Sequence, residues 1–431
     1  MNPHPAEMNN WPHVVVVGGG FGGIELIKKL RNAAFRVTLI DKNNYHTFQP
    51  LLYQVASGGL GADAIGYPFR LIFRGQKNFR FLHTEVKQIL ADQQCIETEA
   101  GTVHYDHLVL ATGSTTNYFG NKEIERNSMP MKSIPEALNL RSDLLEECEA
   151  ASRTNNKEFQ KKHLRFVVVG GGPTGVETAG SLAEFRNNVI KHDYPELDPS
   201  LMEVYLVEAS PNLLNGMKAS SGEKAKSYLE KMGVIVKTGA SVSAYTNQNV
   251  VLSNGLELPC NTLIWAAGVK GQLIAGLPET STAGGRFQVD EYHQLKGVAS
   301  VYAIGDSAGM ITTDRPKGHP MVAPVAVQQG NNLAKNLKNS LKGISAKPFK
   351  YNDKGSMATV GRNKAVVDLP SFSFGGLMAW LVWMFLHLML LVGFRNRVVV
   401  FIDWMWSYFT YERALRLIVR KYNVTPTANE S

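Results

Sequence analysis

Residues 13–25 read HVVVVGGGFGGIE, and residues 165–177 read RFVVVGGGPTGVE, nearly the same string further along the chain. Each string begins with a short run of β-branched apolar residues, which is typical of a buried parallel strand. Glycines follow at the first, third and sixth positions of a turn, and a helical apolar pattern follows the turn. Two such units predict an α/β chain with two Rossmann-like domains, each built on a parallel sheet.

The first turn has a physical use for each of its glycines. Gly18 permits the tight turn, Gly20 lets the main chain approach a pyrophosphate, and Gly23 lets helix and strand pack closely. The next apolar strand, 36–40, ends in Asp41, whose carboxylate can accept a hydrogen bond from a ribose hydroxyl. The first unit therefore predicts a dinucleotide site.

The second turn repeats this arrangement. Pro173 suits the first helical turn, where its missing N–H costs nothing. The next strand, 203–207, ends in Glu208, which favours an unphosphorylated ribose and therefore NAD over NADP. We expect the polar stretch 187–200 to be an insertion between helix and strand. The glycines of this turn are Gly170, Gly172 and Gly175.

Two dinucleotides in one chain imply a redox relay, in which one nucleotide is held tightly and the other exchanges. A flavin and a pyridine nucleotide are the natural pair, because hydride can pass between their rings. The alternative is a duplicated structural turn that binds nothing, and this alternative leaves the two carboxylates unexplained.

Composition narrows the function classes. The chain has 431 residues, is 44% hydrophobic and carries a formal net charge of +8, which suggests an anionic partner. It has only three cysteines and no CxxC, which argues against a disulfide scaffold, a metal site and a dithiol centre. No secretory signal precedes the first strand. The basic excess lies with tryptophan and apolar residues near the C-terminus, which favours lipid over nucleic acid as the anionic partner.

The C-terminal region predicts membrane contact. Residues 377–393 are apolar apart from His387, and a helix of this length could cross a bilayer, lie in its surface or be buried. Positions 408, 411, 415, 418 and 422 have 3-4-3-4 apolar or aromatic spacing, and basic residues surround them. This pattern predicts a basic amphipathic surface helix over 408–422. A dimer interface, or a helix docked on the core, is the alternative.

Three further stretches each lead a strand into a small-residue turn: LVLATGS at 108–114, LIWAAGV at 263–269 and SVYAIGDSA at 300–308. Together with the two glycine turns, they resemble the flavoproteins with two dinucleotide-binding domains. That resemblance implies an NAD domain inserted in a split FAD domain. The implied boundaries are 10–130 and 285–345 for FAD, 131–284 for NAD, and 346–431 for a membrane-anchoring region.

A narrower resemblance is to type II NADH dehydrogenases, the single-subunit, non-proton-pumping NADH:quinone oxidoreductases. It is carried by NYHTFQPLLYQVASG at 44–58, by Glu177 directly after the second turn, by VAPVAVQQG at 322–330, and by YNDKGSMATVGRNKAV at 351–366. The family often shows two glutamines in an AQxAxQ pattern. This chain has Pro324 at the first of them and keeps only Gln328.

The resemblance implies non-covalent FAD, NADH as substrate, a membrane quinone and a lipid surface as partner. It implies that Glu177 supplies protons, that Gln328 lies near the quinone, and that the nicotinamide lies beside the turn at Ala267 and Gly268. The predicted cofactor-binding residues are Gly18, Gly20, Phe21, Gly22, Gly23, Asp41, Lys42, Gln49, Thr112, Gly113, Asp306, Val327, Gly170, Gly172, Pro173, Thr174, Gly175, Glu208, Ala267 and Gly268.

Two other functions remain open from the sequence. One is a soluble-type NADH-dependent reductase of a protein or small disulfide, and the other is a membrane-bound redox sensor with little turnover. For the quinone reductase we expect peripheral, monotopic attachment to the cytoplasmic face of a prokaryotic inner or plasma membrane. A homodimer is left open.

Overall fold

The computed structural model describes residues 10–410 and 415–419. The chain forms two compact units. The first comprises 10–47, Gly66–Asn117 and Gly268–Lys354, and the second comprises Phe48–Ile65, Tyr118–Ala267 and the described residues from 355 onward. By contacts, 48–65 and 118–130 belong with the second unit, whereas the sequence-based boundaries placed them in the first FAD segment. The assignment of each domain to a cofactor stays a prediction.

The first unit is built on the predicted parallel sheet. Its five strands are all paired in parallel, in the spatial order Val301–Ala303, His107–Leu110, His13–Val17, Arg36–Asp41 and Phe79–His83. Val14 and Val16 pack into one hydrophobic cluster, and Val15 and Val17 pack into another. Successive side chains of a strand point to opposite faces, so a sheet buried on both faces requires the continuous valine run that the sequence shows.

Two helices cover one face of this sheet, Phe21–Lys29 and Ala323–Ser340. They approach closely, since a Cβ at Gly330 would lie 2.4 Å from the Gly22 carbonyl oxygen. The smaller elements of the unit are Tyr45–Thr47, Gly66–Pro68, Phe69–Ile72, Val86–Leu90, Cys95–Thr98, Gly101–His104, Ser114–Thr116, Val269–Gly271, Thr282–Ala283, Arg286–Val289 and Ala308–Met310.

The second unit repeats the plan. Its parallel strands are ordered Met129–Pro130, Thr262–Trp265, Arg165–Val169, Glu203–Glu208 and Val234–Thr238. The longer helices are Ile134–Ser152, Pro173–Phe185 and Ala219–Lys231. The shorter elements are Leu52–Ala56, Ala62–Ile65, Lys122–Asn127, Lys157–His163, Val242–Thr246, Asn249–Leu252 and Glu257–Pro259. Both predicted Rossmann-like sheets are thus present, and the predicted fold class is confirmed.

The polar stretch 187–200 begins with an extension of the preceding helix. The Pro173–Phe185 helix continues through a π-helical turn, Arg186–Ile190, into Lys191–Asp193. The Arg186 guanidinium donates hydrogen bonds to the main-chain oxygens of Met202, Met232 and Gly233, which ties the extension to the unit. Residues 187–193 of the predicted insertion are therefore helical, and they lengthen the helix before the chain reaches the next strand.

The C-terminal region of the second unit begins with a three-stranded antiparallel sheet, Ser356–Gly361, Lys364–Asp368 and Ser373–Gly375. Two helices follow, Leu377–Leu390 and Phe394–Thr410, so the predicted 377–393 helix ends three residues early. Within the described residues, no helix has both the length and the apolarity needed to span a bilayer.

The predicted amphipathic helix over 408–422 is wrong at 415–419, although 408–410 are helical. The Phe394–Thr410 helix ends at Thr410, and 415–419 have no regular secondary structure. The rest of the predicted helix, 411–414 and 420–422, lies outside the described residues. Main-chain contacts hold 415–419 instead, since the Ser142 hydroxyl bonds to both the N–H and the carbonyl of Val419.

Candidate functional site

The first glycine turn has the geometry that a bound pyrophosphate requires. Gly18 has φ +104°, a region that favours glycine, and a Cβ at Gly23 would lie 2.1 Å from the Gly18 oxygen. A Cβ at Gly20, in contrast, would meet nothing within 4 Å. The turn thus packs against main chain at Gly18 and Gly23. It leaves space for a ligand at Gly20, at the N-terminus of the Phe21–Lys29 helix.

Asp41 lies at the edge of this turn. Its carboxylate accepts hydrogen bonds from the Gly19 N–H at 2.7 Å and the Asn43 N–H at 2.8 Å. Burial raises the pKa of Asp41, and these two hydrogen bonds act against the rise. A carboxylate has about four acceptor positions, so two remain for a ribose hydroxyl.

Two buried side chains of the same unit present polar atoms with no protein partner. His46 bonds through Nδ1 to the Gly19 oxygen at 3.0 Å, and burial lowers its pKa to about 4, so the ring is neutral and its Nε2 can accept. Gln329 is 0% exposed and accepts the Gly305 N–H through Oε1, while its Nε2 has no protein partner. The open turn and these buried atoms fit a large polar cofactor such as FAD.

The second glycine turn reproduces the first. Gly170 has φ +110°, a Cβ at Gly175 would lie 1.8 Å from the Gly170 oxygen, and a Cβ at Gly172 would meet nothing within 4 Å. Glu208 accepts from the Gly171 N–H at 2.5 Å and from the Ser210 N–H at 2.8 Å. The carboxylate at the end of the second strand thus holds the turn in the way that Asp41 holds the first, and it can also accept from a ribose.

Several other predicted cofactor residues have identifiable partners within the first unit. The Asp306 carboxylate accepts from the Ser114 hydroxyl at 2.6 Å, and the Thr112 hydroxyl donates to the Gln272 oxygen at 2.6 Å. The Phe21 ring meets the His46 ring edge-on at 5.0 Å. Gly113 has φ +71° and lies in open space, whereas Val327 lies in the Ala323–Ser340 helix.

The structure does not gather every predicted cofactor residue at one turn. Lys42 and Gln49 are exposed, and Gln49 begins the Gln49–Leu51 turn of the second unit. Ala267 ends a segment of the second unit, while Gly268 begins a segment of the first. The roles of these four residues stay predictions.

Glu177 lies in a cavity of about 350 Å³ within the second unit. The Pro173–Phe185 helix carries it against the Ser356–Gly361 strand, where its Oε1 accepts from the Thr359 N–H at 3.4 Å. The wall is rich in aromatic side chains, and sequence reasoning did not find them because they come from distant segments. The aromatic residues are Tyr53, Trp380, Trp383, Trp404 and Tyr408.

Burial sets the charge of Glu177. The residue is 8% exposed, and loss of hydration raises the pKa of its carboxyl to about 8. The hydrogen bond from the Thr359 N–H and the nearby indole of Trp383 favour the charged form, and they offset only part of this rise. Glu177 therefore carries a proton at neutral pH and can donate it inside a cavity with an aromatic wall.

Gln328 has a different environment, in the first unit. Its side-chain Nε2 donates to the Asn352 oxygen and its Oε1 accepts the Asn352 N–H, both at 2.9 Å. This paired contact fixes the chain around Asn352, which is where the 351–366 motif begins. The predicted quinone contact at Gln328 stays a prediction, since its amide is engaged on main chain.

The two C-terminal helices bury one stripe each and expose the rest. Ala379, Trp383 and His387 face the protein from the first helix, and Asn396, Val400 and Trp404 do so from the second. We call the exposed remainder the apolar helix face. It comprises Leu377, Met378, Leu381, Val382, Phe385, Leu386, Met389, Leu390, Phe394, Val398, Phe401, Ile402, Met405, Trp406 and Phe409. An exposed patch of this size marks an interaction surface.

Comparison with known proteins identifies the family. Residues 12–330 match the family described as Pyridine nucleotide-disulphide oxidoreductase, and residues 354–411 match the NDH2 C-terminal domain. The type II NADH:quinone oxidoreductase of Mycobacterium tuberculosis is 36% identical, over 93% of this chain and 89% of that protein. The Arabidopsis thaliana mitochondrial internal alternative NAD(P)H-ubiquinone oxidoreductase A1 is 30% identical, over 94% and 85%.

Solved structures agree on the fold. The Plasmodium falciparum NDH2 structure in complex with NADH covers 95% of this chain and 100% of that one, with a TM-score of 0.86 at 22% identity. A sulfide:quinone oxidoreductase from Aquifex aeolicus covers 93% and 95%, with a TM-score of 0.69 at 20% identity. The resemblance read from the glycine turns and the C-terminal motif is therefore confirmed: this chain belongs to the family of type II NADH:quinone oxidoreductases.

Proposed function

We propose that the enzyme carries out its family's reaction with FAD on the first glycine turn, NADH on the second, and a membrane quinone in the cavity beside Glu177. The activity is non-proton-pumping oxidation of NADH by quinone, as the sequence predicted. Neither alternative, a soluble-type NADH-dependent reductase or a membrane-bound redox sensor, is favoured. FAD, when bound, supplies two-electron chemistry, since it accepts hydride from NADH and returns electrons to an acceptor.

The two carboxylates at the strand ends set nucleotide position. In the first unit Asp41 would accept hydrogen bonds from the ribose of FAD beside the open turn, and the unpartnered side-chain nitrogens of His46 and Gln329 would be available to the cofactor. In the second unit Glu208 accepts the ribose hydroxyls of NADH, and its charge disfavours a 2′-phosphate. We therefore expect a preference for NADH over NADPH.

The buried, protonated Glu177 is the observation that carries the quinone assignment. A quinone that gains two electrons needs protons, and a carboxyl with a pKa near 8 holds one at working pH. The cavity volume and its aromatic wall suit a flat, largely apolar head group. Gln328 takes a positioning role, because it holds the chain at Asn352.

The apolar helix face supports the membrane side of the proposal. Trp383 and Trp404 line the cavity from the buried stripes of the same two helices that expose this face. A quinone dissolved in lipid could thus reach the cavity along these helices. Membrane association belongs to the family, and we propose peripheral attachment on the cytoplasmic face of a prokaryotic membrane, with the face lying in the bilayer surface. A homodimer stays a prediction.

Steady-state kinetics test the proposal. The protein purified in detergent should show a flavin spectrum, and NADH absorbance should fall faster when a short-chain quinone is added. NADPH should be oxidised more slowly, and a Glu208→Gln variant should narrow that difference. Equal rates with both nucleotides in the wild-type enzyme would contradict the role of Glu208. Flavin that NADH bleaches and quinone does not reoxidise would overturn the quinone assignment.

A further inference from the structure

A stripe of polar side chains leads away from Glu177 along one face of its helix. Ser181, Glu184 and Asn188 follow at spacings of four, three and four residues, which places them above one another on an α-helix. The π-helical turn at Arg186–Ile190 carries the stripe past the end of the regular helix. All four side chains line the same cavity.

Exposure rises steadily along this stripe. Glu177 and Ser181 are buried, Glu184 and Asn188 are partly exposed, and the adjacent Asn187 is exposed. From Glu177 to Asn188 the helix rises roughly 16 Å. The stripe therefore joins the most buried carboxyl of the cavity to the surface of the second unit.

The stripe presents polar side chains to a cavity whose wall also carries three tryptophans. The Ser181 hydroxyl donates to the Ser57 hydroxyl at 2.7 Å, and Glu184 accepts the Arg362 N–H at 2.5 Å. A helix buried against tryptophans would be expected to present apolar residues there. Buried hydroxyls and carboxylates cost free energy, and proton transfer is a use that requires them.

Quinone reduction needs a proton from solution. The balanced reaction is NADH + H⁺ + quinone giving NAD⁺ + quinol: NADH loses two electrons, the quinone gains them, and both quinone oxygens become hydroxyls. Hydride accounts for one hydrogen, so one proton is consumed in each turnover. If Glu177 donates at the quinone, it must be reprotonated before the next turnover.

We propose that Ser181 and Glu184 conduct this proton from the surface to Glu177, with Glu184 as the outermost carboxylate of the path and Asn188 lining its outer end. The proposal rests on the proposed role of Glu177 and extends it to residues outside the reaction centre. The cavity volume leaves room for several water molecules between these side chains. The other titratable or charged groups on the cavity wall are Tyr53, Arg362, Lys364 and Tyr408.

Two variants test the path, and a third serves as control. Glu184→Gln and Ser181→Ala remove a carboxyl and a hydroxyl from the stripe. Glu196→Gln removes an exposed carboxyl outside the cavity wall of the same unit. Rapid mixing separates the loss of flavin absorbance with NADH from its return with a short-chain quinone. We expect unchanged bleaching, and at least about tenfold slower return in both stripe variants at pH 8, since positioned proton donors contribute factors of this order or more.

Two further readouts separate proton delivery from a structural effect. Added imidazole should restore much of the lost rate in Glu184→Gln, because a small weak acid can replace a missing carboxyl. In the resting enzyme without NADH or quinone, infrared spectra should show slower hydrogen–deuterium exchange of the Glu177 carboxyl in both stripe variants than in Glu196→Gln.

The outcomes separate the two proposals. If both stripe variants show the wild-type rate of flavin return and the wild-type exchange of the Glu177 carboxyl, the proton path is overturned. The proposed role of Glu177 still stands in that case if Glu177→Gln slows the return of flavin absorbance. Wild-type return in Glu177→Gln as well would overturn the role of Glu177 itself. A slowed return that imidazole does not restore, with unchanged carboxyl exchange, would also count against the path.

Discussion

Replacing Glu177 by glutamine should change how the stability of the protein depends on pH. Burial raises the pKa of this carboxyl from its ordinary value of 4.5 to about 8. The folded state therefore holds the proton more tightly than the unfolded chain. Below pH 4.5 both states are protonated and burial has no titration cost. Between pH 4.5 and about 8 the unfolded chain ionises while the folded protein does not, so stability falls as pH rises.

The size of the effect follows from this interval. Each pH unit across it is worth roughly 1.4 kcal/mol, so the wild type loses on the order of 5 kcal/mol by pH 8. Above pH 8 both states are ionised and the loss is constant. Glutamine keeps the shape and does not titrate, so Glu177→Gln should escape this loss.

Melting temperatures measured from pH 5 to pH 9 test the reasoning. The difference between variant and wild type should be small at pH 5, grow by several degrees by pH 8, and level off above it. Glu196→Gln, at an exposed position of the same unit, should follow the wild type at every pH. A difference for Glu177→Gln that is the same at pH 5 and pH 8.5 would refute a buried, protonated Glu177.

Three further predictions concern the second turn and the membrane face. Glu208→Gln should weaken NADH binding by roughly 10- to 100-fold, since hydrogen bonds to a charged group are worth about 1.5–3 kcal/mol; unchanged kcat/KM for NADH would contradict this. Gly175→Ala should lower the melting temperature and NADH affinity at a cost of roughly 1–3 kcal/mol, because its Cβ would lie 1.8 Å from a main-chain oxygen; a wild-type melting curve would count against it. The double variant Phe401→Asp, Phe409→Asp should release the protein from membrane pellets. These rings are 50% and 72% exposed, and burying each of them in lipid stabilises membrane binding by about 1.5–3 kcal/mol. Phe159→Asp, at another exposed phenylalanine of the unit, should leave sedimentation unchanged.

The features of the two glycine turns could be predicted from the sequence because each depends on a few residues that are close together in the chain. The valine runs, the glycine positions and the acidic strand ends of both turns occur in the structure as the pattern predicted, down to the similar hydrogen bonds of Asp41 and Glu208. Pro324 is also understandable locally, since it occupies the first turn of the Ala323–Ser340 helix, where a main-chain donor is not needed.

The cavity around Glu177 could not be predicted from the sequence. Its wall combines Tyr53, the 177–188 stripe, Thr359 and two C-terminal helices, which only tertiary packing brings together. Trp383 looked like part of an apolar anchor, yet it lies at 1% exposure beside a buried carboxyl. Spacing could have indicated the 177–181–184–188 stripe, but the polar run after 186 was interpreted as an insertion that follows the helix.

The wrong prediction of a helix at 415–419 has a similar cause. The 3-4 spacing from 408 to 422 suited a helix, but 415–419 bond to Ser142 and contact the turn at Gly58. Contacts with a distant helix thus outweighed a local pattern. The amphipathic character that the sequence assigned to 408–422 is found in Phe394–Thr410, whose apolar residues remain exposed.

Rapid mixing of wild type and Glu177→Gln with NADH, and then with a short-chain quinone, shows whether Glu177 supplies a proton to the quinone. We expect equal rates of flavin bleaching with NADH, and a return of flavin absorbance with quinone that is about 100-fold slower in the variant, in line with the loss of a positioned acid. Bleaching and return that are both unchanged, or a variant slowed only in its reaction with NADH, would contradict the assignment of Glu177 to the quinone.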